Sequence, residues 1–324
     1  MATGIQIVRR ILRSIRMRAF MLRMRPLQAH LAQIKSDQII TFMALRDNFP
    51  IVYNKLKEYS ITQFTTPLWE SYTSKLEKVF LPCPPLSFLR NHIISETMFV
   101  TAGGKWLKEE LTFLERRISK DTLKTLLLED YVGNPLLLNS TYVTSHNSIH
   151  HLYHLIRFSD ATRCDLNQID AIVEWGGGYG NMARIFKRLK SRPFTYIIID
   201  IPLISCIQWA YLATILGEES VNLLQNPEDT VRAEKINLLP VCFVDRHKIS
   251  GDLFISTWAL SESSKYSQDY VVNHRWFDSK HVLLAYQDSS TNLPNADRIG
   301  KIAAGMGAVI EDIEFLSRNH YAFL

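Results

Sequence analysis

From residue 166 to the C-terminus, short apolar runs bounded by polar residues alternate with stretches whose apolar positions recur every three or four residues. The runs predict buried strands and the longer-period stretches predict amphipathic helices. The order begins with a strand at Ala171–Val173, a helix from Asn181, a strand at Thr195–Asp200 and a helix at Leu203–Leu216. A third strand falls at either Val221–Leu224 or Ile236–Leu239. Strand Asp252–Thr257, helix Tyr266–Phe277 and strand His281–Tyr286 follow. Helix Ala296–Met306, strand Val309–Ile313 and a last strand at Tyr321–Leu324 end the chain. A repeating β-α order implies an α/β fold with a mainly parallel sheet and helices on both faces.

Residues 37–165 read differently, because their apolar spacing is almost entirely helical. Candidate helices are Asp37–Phe49, Leu68–Phe80, Phe88–Val100, Lys105–Ile118 and Asp121–Glu129, with breaks at Leu81-Pro82-Cys83-Pro84-Pro85 and at Gly103-Gly104. This region predicts a helical cap that covers the site and shapes an acceptor pocket. The chain thus divides into 1–36, 37–165 and 166–324.

The chemistry concentrates at Ala171 to Gly180, AIVEWGGGYG. A strand ends in an acid, Glu174, and glycines alternate at Gly176, Gly178 and Gly180 before the next helix. Such turns bring backbone close to a ligand and adopt φ values that other residues avoid. The acid suits hydroxyl or ammonium donors. After one helix (Met182, Ile185, Phe186, Leu189) a second strand, TYIIID, ends in another acid, Asp200. Two strands, each ending in an acid and flanking a glycine turn, read as a mononucleotide-binding βαβ unit. The unit alone does not choose its ligand, since Gly178, Gly180 and Ala183 also fit the G-x-G-x-x-A form of the nicotinamide dinucleotide fingerprint.

Further motifs narrow the choice. The spacing acid-x-Gly-x-Gly-x-Gly resembles the first motif of class I S-adenosylmethionine-dependent methyltransferases. IIIDIPLISCIQWAYL, with Gln208 and Tyr211, and DLFISTWALSE, ending at Glu262, resemble the sugar O-methyltransferase family within that class. The resemblance covers about Ile169 to Gln287, and departs from the family pattern at Ser256 (Asn there) and Ala259 (Ser there). It implies a Rossmann-like methyltransferase sheet with an antiparallel last strand, S-adenosylmethionine as cofactor and a sugar or glycan hydroxyl as acceptor, in surface polysaccharide or glycolipid synthesis. By resemblance, Glu174 and the glycines hold the methionine portion, Asp200 accepts from the ribose hydroxyls, and Asp245 approaches the adenine. Gly177, Ile201 and Ser256 complete the candidate cofactor set.

Ligands of open α/β sheets bind beyond the C-terminal strand ends. Methyl transfer to a hydroxyl of high pKa calls for a nearby general base. Glu262 is the first candidate, His274 the second and His146 the third. A helix-capping role for Glu262 competes with catalysis, with Ser261 or Ser263 as the cap. Trp258, Tyr266 and Trp276 are candidate stacking surfaces, or core. The segment HNSIHHLYHLIRF places His150 and His154 on one helical face, joined by His146 if the helix starts early enough. It has no carboxylate and lacks the Glu of H-E-x-x-H, so imidazoles at a pocket rim or in solvent are expected rather than a metal site, with a contact from one of the four (His146, His150, His151, His154) to the acceptor sugar or the cofactor carboxylate as a middle option.

Charge is uneven. The first 36 residues hold eight bases and no acid, so of the formal +5 the rest of the chain carries −3. A mildly acidic body argues against a broad phosphate-binding face, and no nucleic-acid partner is expected. Val8, Ile11, Leu12, Ile15 and Leu22 share one helical face of the basic segment, with Arg9, Arg13 and Arg16 elsewhere. That pattern suits an anionic membrane surface, a protein partner, an organellar transit peptide or a solvated extension. Four scattered cysteines without a C-x-x-C pair point to a reducing compartment, so a cytoplasmic protein at the inner face of a membrane is the expectation. Oligomeric state is not legible. A nicotinamide oxidoreductase is the alternative enzyme class, although no Tyr-x-x-x-Lys pair accompanies the glycines.

Overall fold

The computed structural model describes residues 34–99, 104–138 and 141–324. Its centre is β1 (Ala171–Trp175), with Ile172 and Val173 fully buried. β1 pairs in parallel with β2 (Thr195–Asp200) on one side and with β5 (Leu253–Thr257) on the other. Strands buried on both faces need apolar residues at successive positions, and Tyr196 to Ile199 supply them.

Both candidate third strands form. β3 (Val221–Leu223) pairs in parallel with β4 (Ile236–Pro240), which pairs with β2. On the other flank β6 (His281–Gln287) continues the parallel sheet, and β7 (Val309–Asp312) and β8 (Asn319–Phe323) close it. The full order is β3-β4-β2-β1-β5-β6-β8-β7, and β8 runs antiparallel to both of its neighbours. This is a Rossmann-like sheet whose final hairpin tucks the last strand, β8, between β6 and β7. It differs from the dinucleotide-binding order 3-2-1-4-5-6, which has no such inserted strand.

Right-handed crossovers put α7 (Asn181–Leu189) and α8 (Pro202–Leu216) on one face. α9 (Ala259–Glu262), α10 (Lys265–Asn273) and α11 (Arg298–Gly305) lie on connections of the opposite flank. α10 stops short of the predicted Phe277 because Arg275, Trp276, Phe277 and Asp278 all take positive φ, a left-handed turn that ends the helix.

The residues before β1 form α1 (Ser36–Lys57), α2 (Pro67–Phe80), α3 (His92–Met98), α4 (Gly104–Glu115), α5 (Lys120–Leu127) and α6 (His146–Thr162). α1 continues through Pro50 beyond the predicted Phe49. Proline removes one helical hydrogen bond, yet Phe49, Val52, Tyr53 and Leu56 are buried in the packing of α1 on α8 and hold the helix together. The predicted Phe88–Val100 helix is divided. A 3-10 turn at Phe88–Arg90 ends at Asn91, whose side chain caps α3 by accepting from Ile93 N at 2.9 Å. These helices share one continuous core with the sheet.

Candidate active site

The order of strands reverses between β1 and β5, and a cleft of about 340 Å³ opens at their C-terminal ends. Glu174, Gly176, Gly177, Gly178, Asp200, Ile201 and Glu262 all line it, brought together from three strand ends.

Glu174 is buried, and the Tyr196 hydroxyl donates to its Oε2 at 2.9 Å. Burial pushes its carboxyl up to about 8; the tyrosine bond opposes the shift and the nearby Asp200 adds to it. Asp200 is pushed up to about 7, again chiefly by burial, against hydrogen bonds from Ile201 N, Gln208 and Gly177 N. Gln208 joins the two halves of this subsite, donating to Asp200 Oδ2 at 2.8 Å and to Gly178 O at 3.0 Å.

The glycines have separate reasons. A Cβ on Gly177 would meet Ile198 at 2.7 Å and a Glu174 carboxylate oxygen at 3.0 Å. At Gly178, with φ +55°, a Cβ would find only Met98 at 3.7 Å, so the space over this residue belongs to the cleft.

Other candidates prove to be structural. Gly180 does not line the cleft: it begins α7 at φ +93°, and a Cβ there would strike Leu212 at 2.6 Å. Ser256 is fully buried behind the cleft, its hydroxyl donating to Trp175 O at 3.0 Å and accepting from Leu260 N at 2.9 Å. Asp245 is exposed in the 3-10 turn Val241–Arg246 and pairs with the Tyr270 hydroxyl; Val241 of that turn reaches the cleft instead. His274 is exposed at the end of α10, its ring stacked on Tyr270 with centroids 4.1 Å apart. His146 is packed edge-on against Trp106 at 4.5 Å, and burial pushes it down to about 4, away from the range of a useful base.

Glu262 alone of the three catalytic candidates faces the cleft. Its Oε2 accepts from Trp69 Nε1 at 3.1 Å and its Oε1 from Gln287 Nε2 at 3.2 Å. Burial raises its carboxyl above the usual range, opposed by those two donors. It does not cap α10: Ser264 does, accepting from Ser267 N. The neighbouring 63–66 segment is stitched to this corner by Ser267 Oγ to Phe64 O and Thr66 Oγ1 to Glu262 O. Phe64, Leu68, Trp69, Tyr72 and Trp258 complete the wall here. Trp258 lines the cleft, whereas Tyr266 packs its ring on Phe64 and Trp276 is in the core.

The four histidines separate. His150 Nδ1 meets Glu110 Oε1 at 2.6 Å and His154 Nδ1 meets the Tyr321 hydroxyl at 2.7 Å, both pairs buried. Burial lifts the Glu110 carboxyl and depresses both imidazoles. Among the described residues no group of three or more His, Cys, Asp or Glu is placed to hold a metal ion. Of the four histidines singled out in the sequence it is His151 that lines the cleft, joined there by Asn147, which the sequence reading missed. Trp69 and Gln287 were missed as well, and their distance in sequence from Glu262 leaves no local signal.

No protein-family model matches the chain, and no curated protein matches it. Among solved structures it is similar to the pyocyanin biosynthetic protein PhzM, at 9% identity over 55% of this chain and 56% of that one, with a TM-score of 0.35. It is similar to magnesium protoporphyrin IX methyltransferase from Synechocystis PCC 6803 with bound S-adenosylmethionine (9%, 69% and 98%, TM-score 0.37). It is similar also to an O-methyltransferase from Bacillus cereus in complex with S-adenosylhomocysteine (9%, 72% and 94%, TM-score 0.36). The chain spans little more than half the length of PhzM. At these values the likenesses carry no weight for the site, which is read from its own residues.

Proposed function

We propose that this chain transfers a methyl group from S-adenosylmethionine to a hydroxyl of a sugar or glycan-type acceptor. The observation that carries the reading is the pair of carboxyls, Glu174 buried and Asp200 half-buried, at adjacent parallel strand ends over one glycine turn. A carboxyl held near 8 by burial, with no cation beside it among the described residues, fits an incoming ammonium group. Asp200 offers acceptors to vicinal hydroxyls, and Ile201, Ile204 and Val241 form an apolar wall suited to a flat base. The bare backbone at Gly178 leaves room for the chain that joins them.

When bound, S-adenosylmethionine supplies an activated methyl group on a sulfonium. The residues of this chain then hold donor and acceptor in line and exclude water. Trp69, Tyr72 and Trp258 present ring faces and edges of the kind that stack on sugars. Glu262 takes the hydroxyl proton at a carboxylate oxygen, while Trp69 and Gln287 fix the carboxylate's direction. Its raised affinity for a proton brings it closer to the pH at which a base works well.

No described helix is long and apolar enough to cross a membrane. The basic segment 1–36 lies outside the described residues except for 34–36, and its contact with a membrane surface or partner belongs to the same reading. The inserted antiparallel strand β8 speaks against the nicotinamide alternative. Calorimetric titration with S-adenosylhomocysteine, NAD and NADP tests the cofactor. Micromolar S-adenosylhomocysteine binding without dinucleotide binding is expected, followed by methylation of sugar acceptors; dinucleotide binding alone refutes it.

A further inference from the structure

His151 is tied into a chain of contacts that fixes where its ring proton sits. The guanidinium of Arg184 can only donate, and its Nε donates to Asn181 Oδ1 at 2.9 Å. That bond orients the Asn181 amide, so the other end, Nδ2, is the donor facing His151 Nδ1 at 3.1 Å. Nδ1 must therefore accept, which leaves the proton of the neutral imidazole on Nε2. Arg184 cannot easily turn: it is fully buried and held by Glu129 at 3.0 Å and Asp130 at 3.2 Å. Burial, with His150 and Arg184 nearby, pushes the imidazole down to about 3, so the ring is neutral at ordinary pH.

The cleft offers an anion no cationic side chain. No Lys or Arg is among the described residues that line it. The indole N–H groups of Trp69, Trp175 and Trp258 each already donate within the protein, and the amides of Asn147, Gln287 and Asn319 each have one N–H so engaged. Among the described residues that line the cleft, His151 Nε2–H is the ring N–H with no protein acceptor. It lies on α6, beside the helix start at Asn181 and the glycine turn.

We infer that His151 Nε2–H is the donor for the α-carboxylate of the methionine portion of the ligand, with Asn181 and Arg184 as positioning residues that hold the required tautomer. The inference rests on the cofactor reading above and assigns the carboxylate a neutral donor. Carboxylate and ammonium sit on one carbon, so the pair calls for a donor and an acceptor in one cleft, and His151 and Glu174 both line it.

The test compares S-adenosylmethionine with decarboxylated S-adenosylmethionine by calorimetry. A charged acceptor on one good donor should give wild type a preference of about ten- to a hundred-fold for the carboxylated ligand. His151→Phe should erase that preference while binding the decarboxylated ligand as wild type does, and His151→Gln, which keeps an N–H, should restore part of it. Asn181→Asp should accept from Nδ1, move the proton and erase the preference with the imidazole still present. Nitrogen-15 NMR of the imidazole reads the tautomer directly, with Nε2–H expected in wild type and Nδ1–H in Asn181→Asp. A preserved preference in His151→Phe, equal weakening of both ligands, or an Nδ1–H wild type overturns the inference. Equal wild-type affinity for both ligands overturns the inference alone; binding of neither overturns the cofactor reading with it.

Discussion

Ligand binding should drive protons off the protein, and the size of the effect follows from Glu174. Its carboxyl sits at about 8 in the ligand-free cleft, so at neutral pH it carries a proton. An ammonium partner requires it ionised. Below 8, each unit of pH therefore costs about a tenfold in affinity, provided the bound carboxylate returns to its ordinary range. Raising the pH from 6 to 7 should tighten S-adenosylhomocysteine about ninefold through Glu174 alone. Asp200, at about 7, adds to the slope where its ionised form is the better acceptor. At pH 7 about 0.9 proton per site leaves Glu174 on binding, with up to about half a proton more from Asp200. The assay is calorimetry in buffers of different ionisation enthalpy. It is confined to pH 6–7.5 because the ligand's own amino group titrates at about 8. Glu174→Gln should bind more weakly and lose the Glu174 share of the proton release. An affinity flat from pH 6 to 7.5, with no buffer dependence, refutes the pairing of Glu174 with a cation.

Without ligand the same carboxyl makes stability fall with pH. Its folded value lies above the unfolded one, so its contribution is fully present below about 4.5 and is lost by about 8; Glu174→Gln should flatten the Tm profile over that window. Glu262→Gln should lower kcat by about 10²-fold or more with the cofactor Kd unchanged, and near-normal turnover would remove it as the base. Gly178→Val should abolish cofactor binding while circular dichroism stays native, whereas Gly180→Ala should lower stability by about 1–3 kcal/mol through its clash with Leu212. Arg184→Met strands Glu129 in the core and should cost about 3–5 kcal/mol in denaturant unfolding, with 1 kcal/mol or less contradicting the buried ion pair.

Much of the sheet was legible because buried parallel strands must be apolar at successive positions, and β1, β2, β5 and β6 are. The glycine turn and its two acids were legible for a related reason: each feature is local, and the strand end dictates where it points. What could not be read depends on distance. Trp69 reaches Glu262 across 193 positions, and neither residue carries a trace of the other in its neighbourhood. Asp245 looked well placed beside a strand end, but the 3-10 turn that follows β4 rotates it to solvent and sends Val241 inward. In the histidine segment the helix was foreseen, and so was a ligand contact from one of its four rings, but not which ring. His146, His150 and His154 share the face that meets Trp106 and the sheet, and His151, one step around, meets the cleft.

The packing of α1 on α8 has a consequence in time. The apolar face of α1, from Phe42 to Leu56, leaves the ribosome about 160 residues before the C-terminal end of α8 can cover it. At ordinary translation speeds that is roughly 8–30 s of exposure. A newborn chain must wait with six buried-to-be side chains in water, so chaperone depletion or slowed elongation between residues 57 and 202 should select against this protein before its site exists.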